Sequence, residues 1–256
     1  MNKDLAWMSR PFAHRGLHDA SKGIVENTRS SVQAALDHQF GFEVDLRAAS
    51  CGTIMVYHDE HLERLTHATG RFADKDLTQL QQIRFRGTDD EMMSLQNLLD
   101  LNNGRVPMLL EIKSDWQFDQ HSLHEFVTAM IGTLKDYAGD YAIMSFDPAF
   151  TNMFRKRAPH IARGLVSEKF TYHEEWKTLS WFRRMRLRFL LSFPYSRPDF
   201  IAYDINALPA IAPMIARSLF KRPLLTWTVR TSEQRLRAQK HCDAMIFEGF
   251  VPATKK

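Results

Sequence analysis

The sequence predicts a single (β/α)8 barrel. Eight short apolar runs alternate with helical patterns along 256 residues, and such alternation is typical of repeated βα units that build a parallel sheet. Eight units in about 250 residues also match a closed barrel in number and length. A doubly wound sheet is the alternative. It is disfavoured because no glycine-rich nucleotide-binding motif follows the first apolar run.

Each predicted element has its own signal. The predicted strands are rich in aliphatic and aromatic side chains and cover residues 12–15, 42–46, 107–113, 142–146, 162–167, 200–204, 224–229 and 244–247. The predicted helices cover residues 28–39, 94–102, 121–136, 148–157, 175–191, 208–220 and 232–241. Two of them begin after a capping side chain: Asn27 precedes Thr28, and Asp147 precedes Pro148.

Residues 48–93 do not fit one βα step. Residues 53–58 resemble an extra strand, and residues 70–87 are polar with scattered charges. We therefore predict a small insertion at about 48–93, between the second strand and its helix. No linker rich in proline, glycine or serine interrupts the chain, so residues 1–256 are predicted to form one domain.

Composition narrows the class of protein. Apolar residues make up 44% of the chain, which supplies a core of ordinary globular size. The two cysteines, Cys51 and Cys242, are far apart, so neither a disulfide framework nor a zinc site is indicated. Residues 1–10 lack the apolar stretch of a signal peptide, and residues 205–216 are too few to cross a bilayer. A cytoplasmic location is expected.

Two carboxylates share one face of the second predicted strand. Period-two geometry points Glu43 and Asp45 to one side, and Val44 and Leu46 to the other. Two like charges side by side are unfavourable unless something positive lies between them, and a bound metal ion would meet that need. The alternative is a strand at a sheet edge whose polar face meets solvent.

The third predicted strand repeats this pattern. After the apolar residues 108–110, Glu111 and Lys113 fall on one face, for which a structural ion pair is the alternative. In a parallel barrel the carboxyl ends of the strands meet at one mouth, where such folds carry their chemistry. Glu43, Asp45 and Glu111 are therefore expected to converge.

Two histidines follow apolar runs in the same half of the chain. His14 and Arg15 end the first predicted strand, and His58 follows residues 54–57 with Asp59 next to it. A histidine can transfer protons near neutral pH, and an arginine offers a planar fork to phosphate oxygens. A structural role is the alternative for each histidine taken alone.

The order of these motifs resembles that of a known family. AHRG, ENT, FEVDLR, MVYHDEHLERLT and LLEIK follow one another, and MSFDP, RGLVS and LLTWTVR continue the similarity. Together they resemble the glycerophosphodiester phosphodiesterase family over about residues 13–252. The resemblance implies a (β/α)8 barrel that uses Ca²⁺ or Mg²⁺ to hydrolyse glycerophosphodiesters into glycerol 3-phosphate and an alcohol.

The resemblance also assigns roles to residues. It implies that Glu43, Asp45 and Glu111 bind the metal. It implies that His14 and His58 form an acid/base pair, with His14 as the base. The implied phosphate and substrate contacts are Arg15, Lys113, Trp227, Glu26 and Asn27. Carboxylates without thiol ligands favour Mg²⁺ and Ca²⁺ over Zn²⁺, and both remain candidates. The first nucleophile is either water or the 2-hydroxyl of the glycerol.

The positive charge is concentrated in one segment. The net charge is +4, but residues 176–198 hold six basic residues and no acid, and without them 28 basic residues face 30 acidic ones. These six are Lys177, Arg183, Arg184, Arg186, Arg188 and Arg197. The arginines and aromatics from Trp176 to Leu191 suit an anionic membrane surface. On a helical wheel, however, the arginines spread over more than half the circle, so an outer helix without membrane contact is an equal alternative.

Three other functions compete with hydrolysis of soluble glycerophosphodiesters. If the segment from Trp176 to Leu191 contacts a membrane, cleavage of lysophospholipids or related amphipathic phosphodiesters is the alternative. Nucleic-acid binding is disfavoured because it leaves the carboxylates unexplained and places them where a polyanion would dock. A catalytically inactive barrel is disfavoured because every implied catalytic position is filled.

Overall fold

Strands and helices alternate along the chain. The structure is a computed structural model that describes residues 4–114, 119–171, 176 and 178–252. Its strands are β1 (Phe12–Ala13), β2 (Gly41–Ala48), β3 (Ile54–Val56), β4 (Met108–Ile112), β5 (Tyr141–Ser145), β6 (Ala162–Ser167), β7 (Phe200–Asp204), β8 (Leu224–Val229) and β9 (Ala244–Phe247). Its α-helices are α1 (Arg29–Asp37), α2 (Leu77–Gln82), α3 (Leu95–Asn102), α4 (Gln120–Leu134), α5 (Pro148–Arg157), α6 (Trp181–Arg188), α7 (Phe193–Ser196), α8 (Ile211–Ser218) and α9 (Ser232–His241).

The fold is the predicted (β/α)8 barrel, in which eight parallel strands form a closed sheet with helices around it. All eight predicted strands are present, with ends shifted by at most two residues. The extra strand predicted within 53–58 is β3, which pairs antiparallel with β2. Within the described residues, none of the helices is both long and apolar enough to span a bilayer.

The chain divides into two compact units, Phe12–Tyr141 and Met1–Pro11 with Ala142–Lys256. In the first, β2 lies between β1 and β4 and is parallel to both. The register pairs Asp45 with Glu111 across β2 and β4. Neighbouring strands of a sheet lie about 5 Å apart, so this register brings the carboxylates predicted from two separate motifs to the same place.

In the second unit, the strands from β5 to β9 follow one another in parallel order. Leu165, Ile201, Tyr203 and Leu224 form a buried cluster between these strands and the helices outside them. The hydroxyl of Thr226 donates a hydrogen bond to the carbonyl of Tyr203, at 2.8 Å. The unit therefore has an apolar core of its own.

Residues 48–93 contain a small core. Tyr57, Leu62, Phe72 and Leu80 are buried against one another, and the rings of Tyr57 and Phe72 stack with centroids 4.8 Å apart. The helix α2 lies in this segment and was not predicted. That residues 48–93 are an insertion into a single domain of 1–256 stays a prediction.

Several helix boundaries differ from the predictions, most of them by one to three residues. The N-cap of α1 is Thr28, whose side chain accepts a hydrogen bond from the backbone of Ser31, so the predicted cap at Asn27 is wrong. The cap at Asp147 is confirmed, because its carboxylate accepts from the backbone of Ala149. Within the predicted helix 175–191, residues 175 and 177 lie outside the described residues, and α6 covers only Trp181–Arg188. It ends before Leu190, which adopts a left-handed conformation with φ of 53°. The short α7 follows and was not predicted.

We expect Gly164→Ala to destabilise the protein. A Cβ at Gly164, in β6, would overlap the ring of Phe200 on β7, and Phe200 is fully buried and has no room to retreat. Overpacking of this kind lowers the free energy of unfolding by about 1 to 3 kcal/mol. Urea unfolding followed by circular dichroism measures the change.

The matched control is Gly132→Ala. Gly132 lies in α4, and a Cβ there has no neighbour within 4 Å. Alanine has the higher helix propensity, so this variant should gain up to about 1 kcal/mol. Equal stability of the two variants would contradict the packing described for β6 and β7.

Candidate active site

Three carboxylates meet on adjacent strands. Glu43 and Asp45 lie on one face of β2, and Glu111 lies beside Asp45 on β4. One carboxylate oxygen from each lies within 4.8 Å of the others. The residues are only 1%, 1% and 7% exposed. The arrangement is therefore a dense, nearly dry group of potential ligands for a hard cation.

Two basic side chains reach into this group. The Nζ of Lys113 lies 2.9 Å from Oδ1 of Asp45 and also contacts Oε1 of Glu111. The Nε of Arg15 lies 3.3 Å from Oδ2 of Asp45, and its backbone N–H donates to Oε2 of Glu43 at 3.0 Å. Asp45 is thus paired with two positively charged side chains, whereas Glu43 accepts one hydrogen bond from a backbone N–H.

Asn27 holds Asp45 in place from the loop before α1. Its side-chain amide donates to Oδ2 of Asp45 at 2.8 Å, and its carbonyl oxygen accepts from the backbone N–H of Asp45 at 3.1 Å. Asn27 is fully buried and adopts the left-handed conformation, with φ of 57°, which asparagine tolerates better than most residues. This conformation explains why Asn27 does not cap α1.

Burial makes the three carboxylates unequal. Burial, together with the charges of Asp45 and Glu111, raises the pKa of Glu43 well above its ordinary value. Burial would also raise the pKa of Asp45, but Lys113 and the other nearby cationic groups hold it well below its ordinary value. Oε1 of Glu43 is buried and has no hydrogen-bond partner within the described part of the chain. Glu43 is therefore the carboxylate that most needs a positive partner.

Each of the two histidines lies beside a carboxylate. Nε2 of His14, just after β1, is 4.0 Å from Oε2 of Glu43. Nδ1 of His58, just after β3, is 2.6 Å from Oδ1 of Asp59. Burial and the charge of Lys113 lower the pKa of His58 to about 4, despite the opposing effects of its acidic neighbours.

Arg64 connects two parts of the site and was not assigned a role from the sequence. Its guanidinium contacts both carboxylate oxygens of Asp59, at 2.5 and 3.0 Å. It also contacts both oxygens of Glu26, at 3.1 and 2.7 Å. Glu26 in turn binds Nη1 of Arg15 at 2.7 Å. The only sequence signal for Arg64 was its place within the motif MVYHDEHLERLT.

Trp227 lies in the other unit, on β8, where its neighbours are aromatic. Its ring packs edge to face against Phe146, with centroids 5.4 Å apart. Phe146 also contacts Trp176 and Phe170. The indole Nε1 of Trp227 is buried without a hydrogen-bond partner among the described residues.

Comparison with protein families identifies the family of this chain. Residues 14–249 match the model of the glycerophosphoryl diester phosphodiesterase family. The chain belongs to this family. It is therefore a phosphoric diester hydrolase, as predicted. A comparison with curated protein sequences gives no significant match.

Solved structures of similar fold carry related descriptions. A putative glycerophosphoryl diester phosphodiesterase from Silicibacter pomeroyi DSS-3 is 22% identical, with a TM-score of 0.76, over 93% of this chain and 89% of the other. An Oleispira antarctica phosphodiesterase, in complex with the product sn-glycerol-3-phosphate, is 17% identical with a TM-score of 0.75 over 94% of both chains. A Thermotoga maritima glycerophosphodiester phosphodiesterase is 20% identical with a TM-score of 0.67 over 92% of both. These likenesses show the shared fold.

We expect Glu43→Gln to stabilise this phosphodiesterase when a chelator is present. Because the pKa of Glu43 is raised by burial and by Asp45 and Glu111, the folded state binds a proton more tightly than the unfolded state. Stability is therefore lost as the pH rises from the ordinary value of 4.5 through the folded-state pKa. Glutamine removes this loss, and urea unfolding near neutral pH should show a gain of about 1 to 3 kcal/mol.

The control is Glu125→Gln, the same exchange at an exposed position of α4. It should change the free energy of unfolding by less than about 0.5 kcal/mol. The gain of Glu43→Gln should also shrink towards acidic pH, where both proteins are neutral at this position. A variant that is no more stable than the wild type at any pH would rule out the described electrostatics.

Proposed function

We propose that this chain hydrolyses glycerophosphodiesters to glycerol 3-phosphate and an alcohol. In this proposal Glu43, Asp45 and Glu111 hold a divalent cation, and His14 and His58 transfer protons. The observation that carries the proposal is the group of three buried carboxylates, with one oxygen from each within 4.8 Å of the others. Family membership supports the substrate class, as does the related Oleispira antarctica enzyme in complex with sn-glycerol-3-phosphate.

The residues present fit a hard cation. All three side chains offer oxygen atoms, with no thiol among them, which suits Mg²⁺ or Ca²⁺. The unpartnered Oε1 of Glu43 is a buried acceptor that a cation would satisfy. When bound, such a cation would neutralise phosphate oxygens and stabilise the charge that develops during attack. Both Mg²⁺ and Ca²⁺ belong to the proposal.

Arg15 and Lys113 supply the fixed positive charge for the phosphate. Burial alone would lower the pKa of each, but Asp45 and the neighbouring carboxylates raise it, so both stay charged at neutral pH. Glu26 accepts a hydrogen bond from one nitrogen of the Arg15 guanidinium. Because this contact already restricts the Arg15 side chain, phosphate binding costs less conformational entropy. Asn27 acts on the site by fixing Asp45.

The histidines provide the proton transfers. His14, beside Glu43, accepts a proton from the attacking hydroxyl, which belongs to water or to the glycerol 2-position. His58 donates from Nε2 to the departing oxygen, while Asp59 holds Nδ1. Because the pKa of His58 is about 4 without substrate, the acid role requires the anionic phosphate to offset Lys113 and raise that pKa.

The remaining roles are extensions of the proposal. Trp227 contacts the substrate through its ring. Lysophospholipids are the second candidate substrates, and they depend on the peripheral membrane contact predicted for Trp176 to Leu191. Lys177, in that segment, lies outside the described residues. Nucleic-acid binding stays disfavoured because a polyanion would meet buried carboxylates. A cytoplasmic location stays a prediction.

We expect a chelator to reduce hydrolysis by at least about 10²-fold, and Mg²⁺ or Ca²⁺ to restore it. Release of glycerol 3-phosphate from glycerophosphodiesters with different alcohols measures the activity. Asp45→Asn should lose both the activity and the thermal stabilisation by cation, whereas Glu125→Gln should keep both. Full activity in chelator would refute the metal proposal. No cleavage at any cation concentration would refute the enzymatic one.

We expect Arg64→Ala to share the leaving-group dependence of His58→Ala. Arg64 holds Asp59, and Asp59 holds His58, so both variants should release an alkyl alcohol about 10- to 100-fold more slowly. Both should retain most of their activity towards a p-nitrophenyl ester, because that leaving group needs no proton. Steady-state kinetics with the alkyl ester and the p-nitrophenyl ester measure the two rates.

Arg84→Ala is the control, since Arg84 is an exposed arginine of the same segment and pairs with Glu91. A rise in KM that is equal for both esters would show that Arg64 acts through Glu26 and Arg15 instead. If the p-nitrophenyl ester does not rescue His58→Ala, His58 is not the acid.

A further inference from the structure

The exposed apolar side chains are concentrated on one part of the second unit. Among the described residues, eleven large apolar side chains are exposed, and nine of them lie between Trp181 and Phe220. They are Trp181, Phe182, Phe189, Leu191, Tyr195, Ile211, Ile215, Leu219 and Phe220. We call residues 181–197 and 211–222 the α6–α8 face. Scattered exposed apolar residues are ordinary, but a concentration of this kind marks an interaction site.

Parts of the α6–α8 face are joined by a buried cluster. Leu190, which follows α6, and Ala216 of α8 belong to the same buried cluster, against which Phe193 of α7 packs. The rings of Phe193 and Phe220 lie with centroids 5.0 Å apart. The segment after α6, the helix α7 and the helix α8 therefore rest on one buried cluster.

The helix α8 turns an apolar stripe to solvent. Ile211, Ile215 and Leu219 recur every four residues, so they lie on one side of the helix, and they are 78%, 45% and 70% exposed. Pro213 and Ala216 are buried instead. An amphipathic helix normally buries its apolar side, and among the described residues nothing covers this side of α8.

The charge of the α6–α8 face has one sign. Residues 181–198 and 205–223 contain no acidic residue. The basic residues of the face are Arg183, Arg184, Arg186, Arg188, Arg197, Arg217, Lys221 and Arg222. Within this set, Arg217 pairs with Asp243 and the guanidinium of Arg188 lies 5.4 Å from the ring centre of Phe189. The face thus combines aliphatic, aromatic and cationic groups.

We propose that the α6–α8 face docks on the surface of an anionic lipid bilayer. Aromatic and aliphatic side chains beside arginines are what the boundary between headgroups and acyl chains accepts, and the arginines attract anionic headgroups. A second copy of the chain fits less well, because the residues of the face include no acid of their own and two such faces would place arginines against arginines. Nucleic acid fits less well because it gives Ile211, Ile215 and Leu219 nothing apolar to contact.

The face differs from the segment predicted from the sequence. Trp176 is buried and contacts Phe146 and Phe170, so it takes no part in docking. The aliphatic half comes from α8, which the sequence did not connect with the arginines. This binding surface goes beyond the proposed hydrolytic function and does not depend on it.

Sedimentation of the full chain with vesicles tests the proposal. One set of vesicles is phosphatidylcholine alone, and the other contains phosphatidylserine at about a third of the lipid. The wild type should sediment with the anionic vesicles, less so as salt is added, and remain in solution with the neutral ones. Equal binding to both sets, or binding to neither, would overturn the proposal.

Two double variants separate the contributions. Ile215→Ser with Leu219→Ser removes part of the apolar stripe, and Arg183→Glu with Arg186→Glu reverses part of the charge. Each should weaken binding to anionic vesicles by at least about tenfold. The matched controls are Leu236→Ser and Lys240→Glu, which change exposed residues of α9, and both should bind like the wild type. Double variants that bind like the wild type would overturn the proposal.

Two further readouts keep the outcomes distinct. Light scattering without lipid should show a monomer, and a dimer that the double variants abolish would assign the face to a second copy and overturn the membrane proposal. Hydrolysis of a soluble glycerophosphodiester should be the same in wild type and variants, since the substitutions lie outside the proposed site. Vesicle binding without any hydrolysis would refute the proposed function and leave the docking surface intact.

Discussion

The burial of three carboxylates side by side is the constraint on which the site depends. Glu43, Asp45 and Glu111 lie out of water on adjacent strands, where like charges repel and no solvent screens them. Fixed partners offset part of this cost, because Lys113 and Asn27 both bind the carboxylate of Asp45. Glu43 keeps a buried oxygen without a partner among the described residues. The incomplete compensation is the physical basis for proposing a cation.

A second constraint is orientation. Arg64 bridges Asp59 and Glu26, and these carboxylates hold His58 and Arg15. One guanidinium therefore supports both the residue proposed to move a proton and the residue proposed to bind phosphate. Arg64 belongs to residues 48–93, so the small aromatic core of that segment helps to fix the geometry of the proposed chemistry.

Positive charge occurs in two different settings in this molecule. In the site, Lys113 and Arg15 are buried among carboxylates, whose attraction keeps them charged. On the α6–α8 face, arginines lie beside exposed apolar side chains, and residues 181–197 and 211–222 themselves include no acid. The first arrangement suits one small anion held in a fixed position, and the second suits an extended anionic surface. A basic net charge by itself did not distinguish them.

The sequence by itself determined the strands and the shared face of Glu43 and Asp45, because side-chain alternation is a local property of an extended chain. Motif order was enough to indicate the family. Only the tertiary structure decided the partners of Arg64, since Glu26 lies 38 residues away along the chain. It also decided that Trp176 is buried and that α8 exposes its aliphatic side. Those outcomes depend on which surfaces meet when distant segments pack, and no local pattern carries that information.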